Sequence, residues 1–202
     1  MDVFSLMAEN FDLPILDWIQ NTLQCGLLDF LMPLITLLGD AGIFWIAMAV
    51  VLLIFPKTRK IGLGMGVALL MGLLICNLML KPWVARIRPY DYQIQYLATE
   101  IQLLVDAPHD FSFPSGHTIA SFEAATVLLI RNKKFGIPAM ILASLIAFSR
   151  LYLYVHYPTD VIAAVILGIG IAVLADFLVQ TIWSAIAKRR KKNVSTGQII
   201  DQ

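Results

Sequence analysis

Charge is scarce in this 202-residue sequence, where 14% of residues are charged against 59% hydrophobic and the mean hydropathy is +0.78. Soluble domains carry about 25% charged residues, so an ordinary soluble domain is excluded. The net charge of +1 is uninformative about nucleic acid, and no nucleic-acid partner is expected. Cysteine is almost absent. Cys25 and Cys76 stand alone in largely apolar surroundings, without metal-ligand spacing and with no disulfide expected; both read as buried small hydrophobes. Residues 1–24 contain no lysine or arginine. Lacking a basic region ahead of a short apolar stretch and a small-residue cleavage site, the chain is expected to have no cleaved signal peptide.

What is present is apolar length. A bilayer-spanning helix needs roughly 20 mainly apolar residues, and six stretches approach or reach that. Residues 26–38, interrupted by Asp29 and Pro33, are the shortest; residues 43–55 stop at Pro56. Residues 61–80 carry Gly62, Gly64, Gly66 and Gly72, small enough for close helix packing. Residues 115–130, 136–155 and 158–187 follow, with Pro158 suited to a first helical turn. Ahead of all six, Leu13, Ile15, Leu16, Ile19 and Leu23 form a helical stripe beside Trp18, which predicts a helix lying at the membrane interface. The long polar connection 81–114 contains a short amphipathic helix over residues 97–105. No internal repeat is found. The expected fold is all-α: an integral membrane six-helix bundle over residues 25–192, an amino-terminal interfacial helix over 1–24, and a polar, disordered cytoplasmic tail over 193–202.

Basic residues set the orientation. Lys57, Arg59 and Lys60 follow the second stretch, Arg131, Lys133 and Lys134 the fourth, and Lys188, Arg189, Arg190, Lys191 and Lys192 the sixth. Cytoplasmic loops carry the positive excess, so these three places and the carboxy-terminus are expected inside a cell membrane crossed several times. The remaining cations, Lys81, Arg86, Arg88 and Arg150, then fall at the extracytoplasmic face.

Three clusters of polar residues gather at that face. Lys81, six residues, then Arg88-Pro89 is the first; Pro114-Ser115-Gly116-His117 is the second; Ser149-Arg150, five residues, His156, three residues, Asp160 is the third. Ionisable groups at membrane depth are costly and mark a site by default, although charges at a helix end also sit comfortably at an interface. Together, and in this order, the three clusters resemble the signatures of the type-2 phosphatidic acid phosphatase superfamily, which also includes vanadium haloperoxidases and bacterial acid phosphatases.

Phosphoryl transfer asks for charge neutralisation on the non-bridging oxygens, an in-line nucleophile and an acid at the leaving oxygen. Lys81, Arg88 and Arg150 supply three cations. Ser115 and the Gly116 N–H open a helix, where anions bind. His156, oriented by Asp160, would attack phosphorus and form a phosphohistidine; His117 would protonate the leaving oxygen and then activate water. The resemblance implies the same roles for these residues. It further implies a lipid phosphate or diphosphate as substrate, undecaprenyl diphosphate being favoured and phosphatidate or phosphatidylglycerophosphate the alternatives. A lipid phosphotransferase, or a non-enzymatic lipid carrier or structural membrane protein, are the other readings. No cofactor and no metal site are expected, since no Asp/Glu/His cluster lies at the outer face. Oligomeric state is left open.

Other polar residues are assigned to structure. His109 reads as a solvated loop residue and Arg86 as a surface or lipid-headgroup contact. Glu123 lies about 240° around a helix from His117, away from the site, and is given to interhelical hydrogen bonding. Asn77 either orients Lys81 or packs helices. Asp176 lies about 24 Å along its helix from Asp160, too deep for the site. Tyr152, Tyr154, Tyr157 and Trp83 read as an interfacial aromatic belt.

Overall fold

The computed structural model describes residues 3–200, with side chains described as far as Arg189. The described residues are helical, with no strand. Short α1 (Val3–Met7) runs through a π-helical turn into α2 (Leu13–Leu23). Helices α3 (Gly26–Leu37) and α4 (Ile43–Ile54) are joined by a tight turn in which Ala41 (φ 49°) and Gly42 (φ 66°) are both left-handed. Helix α5 (Arg59–Gly72) continues through a π-helical stretch into α6 (Lys81–Val84). After α7 (Pro89–Leu97) comes an irregular segment, then α8 (Gly116–Arg131), α9 (Lys133–Tyr152) and α10 (Pro158–Ile200).

Among the described residues, three helical stretches are long and apolar enough to cross a membrane: Arg59–Leu97, Lys133–Tyr152 and Pro158–Arg189. Residues 26–38 and 43–55 were expected as two spans. The structure makes them a pair bent by 41°, which together have the length and apolarity of one broken span or of a re-entrant loop. Large apolar side chains such as Phe30, Ile141, Ile162 and Ile166 are exposed on the outside of the bundle, the surface a lipid environment covers. Helix α10 continues to Ile200, through most of the segment expected as a disordered tail; the side chains of residues 193–202 lie outside those described.

Helix α8 is the hub, packing on α9, α10 and α5. Nearly every residue from Thr118 to Leu128 is buried, and its alanines, Ser121 and Thr126 let neighbours approach from all sides. Two glycines make close approaches possible. A Cβ on Gly62 would meet the Ala49 carbonyl oxygen at 2.6 Å, and one on Gly136 would meet the Leu129 Cα at 2.2 Å. The deep core is built around Trp45, Met65, Phe122, Val127 and Ile146. A second core sits at the other end of the bundle, where Leu13, Leu16 and Ile19 of α2 pack with Tyr90, Tyr152 and Tyr154. Lys60 and Arg131 of two basic loops lie at the end opposite this second core: Lys60 sits over the Trp183 ring at 5.4 Å, and Arg131 pairs with Asp176.

Four expectations are corrected. The helix expected over residues 97–105 lies earlier, at Pro89–Leu97, because Pro89 follows an extended Arg88 and starts the helix, while left-handed Ala98 (φ 51°) stops it. Tyr152, Tyr154 and Tyr157 are buried rather than an interfacial belt: the hydroxyls of Tyr152 and Tyr154 reach Asp29 and Asp17 at 2.6 and 2.7 Å, which satisfies them inside the protein. Trp83 is 82% exposed. Cys25 is exposed, since it sits in the break between α2 and α3, whereas Cys76 is buried; both are free thiols. Glu123 makes no interhelical hydrogen bond, both oxygens being buried without a partner.

Candidate active site

The ends of α6, α8 and α9 and the loop before α10 meet at one cavity of about 1140 Å³. Lys81, Arg88, Gly116, His117, Arg150 and His156 all line it. The other expected site residues lie just behind. Ser115 is fully buried, its Oγ accepting from Thr118 Oγ1 at 2.9 Å, and Asp160 sits beneath His156.

His156 is placed by a sharp reversal. Tyr154 adopts φ 59°, a costly conformation for a bulky residue, and its hydroxyl is held by both Asp17 and Gln93. The turn aims the Val155 carbonyl at Arg88 Nη1, 2.6 Å away, and leaves His156 Nε2 3.3 Å from the same nitrogen. His156 Nδ1 faces the other way, 3.5 Å from Asp160 Oδ2 and 3.5 Å from Ser112 Oγ. Burial, then the charges of Arg88, Arg150 and Lys81, hold the imidazole well below its ordinary pKa. This favours a neutral ring, whose Nε2 lone pair faces Arg88 Nη1 and the cavity.

Asp160 is fixed from every side. As the third residue of α10 it accepts the Tyr157 N–H at 3.0 Å, a capping arrangement that follows from Pro158 opening the helix. Ser112 Oγ donates to the same carboxylate, and Arg86 Nη1 reaches Oδ1 at 2.6 Å. Arg86 thus corrects a further expectation. It is 5% exposed, lies 3.8 Å over the Tyr157 ring, and joins Asp160 to Asp12 of the first segment at 2.7 Å. Asp12 also accepts from the Thr159 N–H and Oγ1. None of Arg86, Asp12 and Ser112 is a motif position in the sequence. The one available signal was an arginine and an aspartate in stretches that otherwise suit a membrane surface.

The three cations are not equivalently occupied. Asp110, in the segment before α8, bridges Lys81 Nζ and Arg88 Nη2 at 2.5 Å each, and its carbonyl accepts from Arg88 Nε at 2.8 Å. Burial raises the Asp110 pKa, but the bonds and charges of Lys81 and Arg88 outweigh it and hold the carboxyl well below the usual range. Arg150 Nη1 donates to Thr36 Oγ1 at 2.6 Å, whereas its Nε is buried without a partner. That orphan donor suits an incoming anion oxygen. His117 Nε2 lies 2.6 Å from Asp40 Oδ1 and 3.4 Å from Arg150 Nη1.

The remaining polar residues are easily placed. His109 is exposed at the cavity mouth. Asn77 packs beside Gly116 with its Oδ1 unpartnered, and makes no bond to Lys81. Glu123, expected to face away, lines the cavity farther in, against Gly72. Asp176 is at the far end with Arg131. Among the described residues no three His, Cys, Asp or Glu side chains converge as a metal site. Below the polar mouth the cavity walls turn apolar, with Ile46, Val50 and Leu53 of α4 facing Leu69, Leu70 and Leu73.

Residues 61–184 match the PAP2 superfamily. An undecaprenyl-diphosphatase of Sulfolobus acidocaldarius is 35% identical over 156 residues, covering 77% of this chain and 72% of that protein. Among solved structures, Aquifex aeolicus LpxE superposes with a TM-score of 0.70 at 28% identity, over 83% of this chain and 96% of that one. The PAP2-type phosphatidylglycerolphosphate phosphatase of Bacillus subtilis superposes with a TM-score of 0.63 at 27% identity, over 90% of each chain.

Proposed function

Because the chain belongs to the PAP2 superfamily, we propose that it is a membrane lipid phosphatase, acting on a lipid phosphate or diphosphate with undecaprenyl diphosphate the favoured substrate. One observation carries the reading. Three cations and two histidines gather at the mouth of a cavity whose deeper walls are apolar, a shape that fits a phosphate headgroup with its chain still in the bilayer. Lys81, Arg88 and Arg150 neutralise the phosphate oxygens, and the Gly116 N–H at the start of α8 adds a donor. His156 Nε2 attacks phosphorus, the bond to the leaving oxygen breaks, and His117 supplies that oxygen with a proton. Water, activated by His117, then releases phosphate from the phosphohistidine. Asp160, held by Arg86, Ser112 and the Tyr157 N–H, keeps the His156 ring oriented and supports its charge. Charge neutralisation falls to the side chains, and no metal takes part.

The six expected helices are α3, α4, α5, α8, α9 and α10, of which α3 and α4 form one broken crossing. Five crossings put the two ends of the chain on opposite sides. Asp12 and Asp17 share the end that holds His156, and the basic loops share the other. By the positive-inside rule the site is extracytoplasmic and the carboxy-terminus cytoplasmic. Phosphatidylglycerophosphate is a second candidate substrate, favoured by the likeness to the B. subtilis enzyme over 90% of both chains.

The test is phosphate release by the purified protein from undecaprenyl diphosphate, phosphatidate and phosphatidylglycerophosphate. Release should survive a chelator, stop with vanadate, and vanish in His156→Ala. No release from any of the three lipids would end the reading in favour of a carrier or structural protein.

A further inference from the structure

His117 is gripped on one ring nitrogen only. Its Nε2 lies 2.6 Å from Asp40 Oδ1, while Nδ1 has no hydrogen bond among the described residues. Asp40 comes from a distant part of the chain, the turn between α3 and α4, and that turn is shaped around the imidazole. A Cβ on Gly39 would come within 2.7 Å of His117 Cδ2. Ala41 and Gly42 both take left-handed backbone to bring the turn over α8. The charged and titratable groups facing His117 come from four elements. Arg150 of α9 and Lys81 of α6 place positive charge beside the ring, and His156 of the loop before α10 faces it. Asp40 is the carboxylate that opposes them. Arg150 Nη1 is itself a donor 3.4 Å from Nε2, so Nε2–H needs an acceptor and Asp40 provides it.

We propose that Asp40 is the positioning residue of the acid–base histidine: its carboxylate accepts Nε2–H of His117, so that the Nδ1 proton is the one delivered to the leaving oxygen. This rests on the lipid phosphatase reading above. In the first step the His156 Nε2 lone pair forms the N–P bond, the P–O bond to the lipid breaks, and its electron pair takes the Nδ1 proton. His117 is then neutral, with Asp40 holding it in the Nε2–H tautomer. In the second step Nδ1 takes a proton from water as the water oxygen bonds to phosphorus and the N–P bond breaks, which restores the imidazolium. The arrangement parallels the carboxylate–imidazole logic of hydrolytic triads, with a different carboxylate assigned to each histidine.

The experiment measures single-turnover phosphoenzyme formation against pH for Asp40→Asn, Asp40→Glu and His117→Ala. A phosphatidate leaving group departs as an alkoxide, whose conjugate acid has a pKa near that of water, about 15.7. An undecaprenyl diphosphate expels a lipid monophosphate, whose second pKa is about 6. General acid catalysis supplies about 10²–10⁴-fold. Asp40→Asn should lose at least about tenfold of that on phosphatidate and clearly less on undecaprenyl diphosphate. Removing the carboxylate lowers the pH at which the imidazolium gives up its proton, so the basic limb should move down in Asp40→Asn and return in Asp40→Glu. A wild-type limb in Asp40→Asn, or an equal shift in Asp40→Glu, overturns the role of Asp40 while the phosphatase reading stands. Wild-type phosphoenzyme formation in His117→Ala overturns the reading beneath it.

Discussion

Around His156 every polar neighbour is already held, whereas around His117 one ring nitrogen and one arginine donor are left free. His156 is 1% exposed, and the carboxylate beneath it is bonded to Arg86, Ser112 and a backbone N–H. The His117 side chain is 20% exposed, and its partner Asp40 is half-exposed on a turn. The contrast follows the division of labour proposed for the two. A nucleophile must arrive at phosphorus along one line, which favours a fixed, dry setting. An acid–base group must exchange protons with the leaving oxygen and with water, which requires an open side.

The largest expected effect breaks the comparison at its rigid half. His156→Ala should abolish turnover and phosphoenzyme formation while thermal melting in detergent stays near wild type; substantial residual activity would exclude the phosphohistidine route. Asp160→Asn should lower turnover by up to about 10⁴-fold, the scale seen when a carboxylate that orients an imidazole is neutralised. A loss confined to stability, with turnover per folded molecule unchanged, would show that Asp160 acts on the helix cap and not on His156.

Arg86→Met should act mainly on folding. It leaves Asp12 and Asp160, both 0% exposed, as uncompensated buried charges, and breaking such a pair costs about 3–5 kcal/mol. Melting should fall sharply, and with it the docking of the first segment. A melting temperature within error of wild type would show that water, not the protein, receives the two carboxylates.

The smallest effect sharpens the comparison on the open half. Asp110 occupies Lys81 and Arg88 with a carboxylate that is half-exposed, so Asp110→Asn should tighten vanadate binding. Only the carboxylate is exposed, Lys81 and Arg88 being largely buried, so the gain should read as a several-fold tightening in a calorimetric titration. Weaker binding would mean that Asp110 holds the two cations in place for the phosphate instead of competing with it.

The motif residues were legible because each acts from a short stretch. The intervals from Lys81 to Arg88 and from Arg150 to Asp160 survive in any one-dimensional record, and the structure brings Lys81, Arg88, Arg150 and His156 to one cavity with Asp160 behind it. Arg86 was misread for the opposite reason. Its partners Asp12 and Asp160 each lie 74 residues away, and a pair so distant leaves no periodic trace in either stretch. The tyrosines failed similarly: an aromatic ring with a hydroxyl suits a membrane interface and a buried hydrogen bond equally well, and only Asp17 and Asp29 arriving from the first helices decide between them.

Readable along the chain alone were the helical class, the apolar lengths, the basic loops, and the three cations and two histidines that line the cavity. These depend on composition and local spacing, which neighbouring residues settle among themselves. Only the packing of distant segments makes the two expected spans one pair bent by 41°, docks the first segment behind His156 through Asp12, and sets which carboxylate meets which histidine. Each of those depends on chain segments tens of residues apart competing for the same few buried charges. The winner is set by where helices of fixed length and packing leave their ends.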